Sequence, residues 1–246
     1  MAEPILDANF HFHYLSQQKE SDVLNKYGDV KNLWETNNIK KVFVTIPPTY
    51  KKIAEMLGER KDVRVGAYLS FPNAFEKTDQ TKLTNFDYLK IRPFYGSGDL
   101  SRYNTELKRI IKNGNKKLIQ IHVEYIPKTL METIREFPDI NFQLVHGVHA
   151  FYEKLYNLPG KEQNIDNLLE LKNLFLGTSN FSAHFEIPHR FLKKAVDDGL
   201  EERIFFESDY TLGYNKGWLQ DSIISCKSAI NGYNKKIFFE NANKLL

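Results

Sequence analysis

A chain of 246 residues is long for one core but suits a single large α/β barrel, and its 41% hydrophobic and 13% aromatic residues are enough to build that core. The 34 Lys and Arg against 31 Asp and Glu, a formal net charge of +3, exclude charge-driven disorder and give no case for nucleic acid as a partner. The lone Cys226 excludes a disulfide framework or cysteine-rich zinc module, no apolar run approaches the roughly 20 residues of a membrane span, and the opening MAEPILDANF lacks the pattern of a signal peptide. A soluble, cytoplasmic protein with no membrane partner is expected.

Eight strand-like runs follow one another, at 5–11, 41–46, 63–71, 88–91, 117–123, 141–145, 174–178 and 203–206. Each is short, rich in Val, Ile, Leu, Phe or Tyr and bounded by polar residues, and most lack strict alternation, as strands covered on both faces do. Between them lie apolar stripes at helical spacing. These are Val23, Tyr27, Val30 and Leu33, then Ile53, Met56 and Leu57, then Leu107, Ile110 and Ile111, then Leu130, Ile134 and Phe137, and last Phe191, Leu192, Ala195 and Val196. Residues 218–230 and 235–246 read as two closing helices. This alternation predicts a parallel sheet with right-handed crossovers, and its size predicts a single (β/α)₈ TIM-type barrel over 1–246 with closing C-terminal helices. The longest irregular stretches are 72–86 and 156–165, the first of them a candidate rim loop.

Chemistry-bearing residues gather where these strands end. Strand one ends in Asn9, His11 and, just beyond, His13; strand four in Lys90 and Arg92; strand five in Gln120, His122 and Glu124; strand six in His146. Strand seven runs into Thr178, Ser179 and Asn180, and strand eight into Glu207, Ser208, Asp209 and Tyr210. The carboxyl ends of barrel strands converge on one mouth. Any one of these has a structural alternative: Asp209 as a cap, Ser179 as turn chemistry, Arg92 as a strand cap. Five of the seven histidines (His11, His13, His122, His146 and His149) nevertheless lie at or just beyond the ends of strands one, five and six. Imidazole and carboxylate about one centre form the ligand set of a catalytic zinc or similar divalent ion. Residues two apart share a strand face, so a His-x-His pair can converge on one ion.

The residues Ile5-Leu6-Asp7-Ala8-Asn9-Phe10-His11 resemble the apolar-apolar-Asp-x-His-x-His opening of the amidohydrolase superfamily. The chain looks more narrowly like its amidohydrolase-related group of metal-dependent hydrolases and non-oxidative decarboxylases. The resemblance continues through Leu89-Lys90-Ile91-Arg92-Pro93, His122, His146-Gly147, the segment Arg203-Ile204-Phe205-Phe206-Glu207-Ser208-Asp209-Tyr210, and the terminal Asn241-Ala242-Asn243-Lys244-Leu245. It implies His11, His122 and Asp209 as ligands of one divalent ion, with zinc first and manganese, cobalt or iron as alternatives, and His146 as acid, base or substrate-orienting group.

Two departures from that pattern leave alternatives open. Asn9 replaces the first histidine, so either His11 and His13 form the pair or the site is a ligand short. Glu207 replaces a glycine and shares a strand face with Asp209, so it either enters the site or marks a changed pocket. The leading expectation is a hydrolase that attacks a C–N or C–O bond of a small, carboxylate-bearing molecule with metal-activated water. Asp209 and His146 are its catalytic residues, and Lys90, Asn9, Arg92, Glu207 and Ser179 line the substrate. The alternatives are a metal-dependent decarboxylase of an aromatic or unsaturated acid, and a metal-free degenerate barrel acting as a binding protein. A homodimer through the closing helices is open, with nothing in the sequence requiring it.

Overall fold

The computed structural model describes residues 3–12, 19–70, 83–92, 104–123, 126, 128–157, 165–179, 186–212 and 217–245, the side chains of 153–157, 165 and 186–190 excepted. The strands are β1 (Ile5–His11), β2 (Ile39–Ile46), β3 (Val63–Ser70), β4 (Tyr88–Arg92), β5 (Leu118–His122), β6 (Asn141–Val145), β7 (Leu174–Gly177), β8 (Ile204–Phe205) and β9 (Tyr210–Thr211). They form one parallel sheet in the order β8-β7-β6-β5-β4-β3-β2-β1-β9.

That order is circular. β8 and β9 are successive pieces of one segment: the first pairs with β7 and the second with β1. Between them the Ala8 amide donates to the Phe206 carbonyl at 2.9 Å, and just past them Leu212 N donates to His11 O at 3.3 Å. The segment therefore acts as the eighth stave of a TIM-type barrel and joins the two ends of the sheet. It is split where Asp209 adopts a left-handed φ of 51°, so a residue there leaves the ladder and re-aims its side chain.

Helices between the strands supply the crossovers that parallel neighbours need. Asn104–Gly114 buries Leu107, Ile110 and Ile111, and Lys128–Glu136 buries Leu130, Thr133 and Ile134. Residues at these spacings share one helix face, as the sequence predicts. Pro138 follows the second helix at once and cannot extend it. Gly217–Ala229 is the first closing helix.

The second closing helix departs from expectation. Lys236–Glu240 is a π-helical turn that runs into Asn241–Asn243. The wider turn lets the backbone serve the sheet, since Phe206 N donates to Ile237 O at 3.0 Å. The Asn241 amide donates to the carbonyls of Glu201 (2.8 Å) and Ile204 (3.0 Å). Ala242 thereby seals the barrel floor, an apolar cluster of Leu6, Ala8, Phe43, Tyr88, Leu118 and Phe205. Among the described residues no helix is long and apolar enough to cross a membrane.

Gly66 on β3 shows how tightly this floor is filled. A Cβ there would sit 2.2 Å from the Tyr88 ring, which is fully buried and bonds Thr45 Oγ1 through its hydroxyl at 3.0 Å. Overpacking of this kind costs about 1–3 kcal/mol. Gly66→Ala should lower the unfolding free energy by that amount, read as a lower urea midpoint at an unchanged slope, and an unchanged midpoint would show that Tyr88 moves freely.

Candidate active site

The site begins with a slip in β1. Asp7 pairs with Val42 but Phe10 pairs with Val44, so Ala8 and Asn9 together oppose one residue of β2. A bulge of this kind turns backbone and side chains away from the regular alternation. Here the Ala8 carbonyl accepts from the side-chain amides of Gln120 (2.8 Å) and Gln143 (3.1 Å). Beyond the slip, Asn9 and His11 share one face. Asp7 ties the bulge to the split eighth stave, accepting from Ser208 N at 3.0 Å, from the Ser208 hydroxyl and from Asn9 N at 3.2 Å. Burial pushes its carboxyl up to about 7.

At the mouth four side chains meet. Asn9 bridges two charges, donating from Nδ2 to Asp209 Oδ1 at 2.8 Å while its Oδ1 accepts from Lys90 Nζ. His11 Nε2 faces Lys90 Nζ at 2.7 Å and Asp209 Oδ1 at 3.1 Å. Lys90 is wholly buried. Burial lowers it to about 8, with Asp209 opposing the shift. Burial and the nearby Lys90 charge together lower His11 to about 4. Burial alone would raise Asp209, but His146, His11 and Lys90 outweigh it and hold the carboxyl well below the usual carboxylate range. At neutral pH the group is therefore an ammonium and a carboxylate joined through a neutral amide, with the neutral His11 ring accepting from Lys90 at Nε2.

His146 lies on the other side of Asp209, with Nε2 3.9 Å from Oδ2. It too is left-handed, φ 62°, a conformation uncommon outside glycine and here secured by its own backbone N–H on Glu207 Oε2 at 3.3 Å. Its Nδ1 is 2.9 Å from Ser179 Oγ, whose hydroxyl also reaches Glu207. His122 packs edge-on against the His146 ring, centroids 4.7 Å apart at 89°. Burial lowers His146 to about 4 and His122 well below the usual range, so both rings are neutral.

The structure thus brings together Asn9, His11, Lys90, His146, Ser179, Glu207 and Asp209, with His122 against His146. Arg92, partly exposed at the end of β4, donates to Tyr68 Oη at 3.3 Å, and its charge is felt by His11 and Lys90. His13 lies outside the described residues. His149 packs on Phe191, ring centroids 5.7 Å apart. Cys226 is buried and its thiol is pushed up to about 12, as an inert core group would be. Sequence reasoning assigned no role to Asp7, Gln120 or Gln143. The signal for Gln143 was available, since it is the one polar residue inside the apolar run Phe142 to Val145.

A divalent ion at the mouth would take His11 Nε2 and Asp209 as ligands. Lys90 already faces that nitrogen and donates to the Asn9 amide oxygen, which puts a positive charge where the ion would bind. Among the described residues no group of three or more His, Cys, Asp or Glu side chains is arranged to hold a metal. Catalytic zinc keeps three protein ligands. The described donor set, with an amide in place of an imidazole and an ammonium facing it, does not fit the zinc expected from the resemblance.

No protein-family model and no curated protein sequence matches the chain. Solved structures do. A probable 2-pyrone-4,6-dicarboxylic acid hydrolase from Acinetobacter baumannii, solved with citric acid bound, is 10% identical over 98% of this chain and 98% of its own, with a TM-score of 0.57. The chain shares the barrel fold of that structure. The phosphotriesterase from Mycobacterium tuberculosis is 11% identical over 99% of this chain and 94% of its own, TM-score 0.57. Amidohydrolase 2 from Bifidobacterium longum subsp. infantis is 12% identical over 99% and 98%, TM-score 0.52. At such identities the likeness is one of fold, and the chemistry has to be argued from the side chains.

Proposed function

We propose that the chain is a hydrolase of a small, carboxylate-bearing molecule, cleaving an acyl C–O or C–N bond with a water held between His146 and Asp209. The observation that carries this reading is the 3.9 Å between His146 Nε2 and Asp209 Oδ2. Two acceptors at that spacing can each receive one hydrogen of a single water at ordinary hydrogen-bond lengths, which leaves its lone pairs facing outward to the substrate carbonyl.

The proton then has two candidate acceptors. The sequence pointed to Asp209, but its neighbours keep it far more acidic than an ordinary carboxyl. The neutral imidazole of His146 is the better base, and Asp209 beside it stabilises the imidazolium as water attacks. His146 then returns the proton to the departing oxygen or nitrogen. The Lys90 ammonium offsets the negative charge that builds on the acyl oxygen. Arg92, at the outer end of β4, meets the substrate carboxylate. The dicarboxylic substrate for which one structural neighbour is named is in keeping with such a group.

The test is a panel of carboxylate-bearing lactones, esters and amides, with released acid and carbon dioxide both followed so that decarboxylation is seen separately. The metal-activated water that the resemblance implies is tested alongside. Zinc content after supplementation and dialysis should stay below about 0.2 equivalents, and exhaustive chelation should leave the rate within about twofold, because ligand sets that suffice bind metal tightly. A stoichiometric ion whose removal abolishes turnover would overturn His146 as the group that activates the water.

A further inference from the structure

We infer that Glu207, acting through Ser179, determines which nitrogen of His146 carries the proton. The inference deepens the hydrolase reading, but its structural half stands without it.

Glu207 occupies the place where the resemblance expects glycine, and the barrel has made room for it elsewhere. Gly177 on the neighbouring strand has no side chain, and a Cβ there would lie 1.9 Å from the Glu207 carboxylate. Thr178 Oγ1 accepts from Glu207 N at 3.0 Å and fixes its backbone. The carboxylate is fully enclosed. Oε1 accepts from Gln143 Nε2 at 2.5 Å, and Oε2 faces His146 N and the Ser179 hydroxyl. Burial pushes this carboxyl up to about 7, opposed by the donors Ser179, Gln143 and His146 N and by the Lys90 charge, so the carboxylate is the form present above that pH.

The polarity of this network follows from one atom that can only accept. The Ala8 carbonyl oxygen takes hydrogen bonds from Gln120 and Gln143, so the ends of those amides that face it are nitrogens. Gln120 Nε2 also donates to Gln143 Oε1 at 3.0 Å, in agreement. Gln143 therefore presents N–H to Glu207, which accepts. Ser179 has a single hydroxyl hydrogen, and the charged carboxylate claims it. Toward His146 the serine oxygen can then only accept, which requires the hydrogen on Nδ1. Nε2 is left with its lone pair directed at Asp209 Oδ2. Two acceptors cannot bond each other, so this arrangement calls for a hydrogen-bearing molecule between them, as the proposed water is. Glu207 and Ser179 are positioning residues, orienting the base as the third member of a catalytic triad does.

The experiment is long-range proton–nitrogen correlation NMR on protein labelled in histidine, with His146 assigned by the peaks lost in His146→Gln. The wild type should show a protonated Nδ1 and a bare Nε2. In Glu207→Gln the Gln143 amide, at 2.5 Å, demands an acceptor more strongly than the His146 N–H at 3.3 Å, so the new amide turns its oxygen to Gln143 and its NH₂ to Ser179. The hydroxyl reverses, and His146 should switch to protonated Nε2. Ser179→Ala should leave a mixture of the two forms, and serves if Glu207→Gln does not fold. A protonated Nε2 in the wild type overturns the inference, as does a folded Glu207→Gln that keeps the wild-type form. Where hydrolysis is detected, Glu207→Gln should lower kcat by about 10²–10³-fold with KM little changed. An inert wild type with the expected tautomer counts against the hydrolase reading alone. An active wild type with the opposite tautomer counts against the relay alone.

Discussion

Asp209→Asn should reduce hydrolysis by about 10³-fold or more, roughly 4 kcal/mol of transition-state stabilisation, while the barrel still folds. Asparagine is the suitable replacement because Asp209 sits at φ 51°, a left-handed conformation that Asn tolerates and that alanine would strain. Its amide oxygen can keep the bond from Asn9 Nδ2, which in the wild type is 2.8 Å long. What it loses is the negative charge beside His146, so the imidazolium formed as water attacks has no counterion. Thermal unfolding close to wild type together with the collapse in rate is the expected pair of results. A rate within tenfold of wild type would remove Asp209 from the chemistry.

Lys90→Met is the second large change, and it separates charge from packing. Methionine has a similar unbranched reach, so the barrel interior stays filled. Activity should fall by about 10²-fold or more, as it does when an electrostatic stabiliser of an oxyanion is removed. Stability should respond differently with pH. The ammonium titrates near 10.5 in the unfolded chain and near 8 in the folded one, so between those values the unfolded chain binds more protons. Stability of the wild type therefore rises with pH across about 8 to 10.5, and below about 8 the cost of burying the charge is carried in full. Lys90→Met has no such group and should lack that rise. Denaturant unfolding of both proteins at pH 7.5 and 9.5 measures the difference, in which titrating groups remote from Lys90 cancel. Parallel changes in the two proteins would mean that the buried amine is not held near 8.

The two changes also bear on what Asn9 does. Its amide oxygen accepts from Lys90 and its amide nitrogen donates to Asp209. The residue that departs from the histidine pair of the resemblance is thus the link of a charge pair. Its departure and the buried Lys90 belong to the same arrangement.

Much of this was legible from the chain alone. The strand runs and helical stripes are local patterns, set by which residues a buried strand or an amphipathic face tolerates, and the (β/α)₈ reading followed from their alternation. The gathering of His11, Lys90, His146 and Asp209 at one mouth was legible too, because each lies at a strand's carboxyl end and a barrel brings those ends together. Local pattern could not show the slip at Ala8 and Asn9, the split of the eighth stave at Asp209, or the space that Gly177 leaves for Glu207. Each depends on a partner far along the chain: Val42 and Val44 for the slip, β1 for the split, Glu207 for the glycine. The sequence by itself determined the architecture and the identity of the groups at the mouth, since hydrophobic period and strand ends are properties of short segments. Only the tertiary structure decided that Lys90 reaches Asn9 and His11 and that Glu207 reaches His146 through Ser179. Those contacts arise when staves of different register close on one another, and hydrogen-bond polarity inside a sealed barrel is set by every neighbour at once.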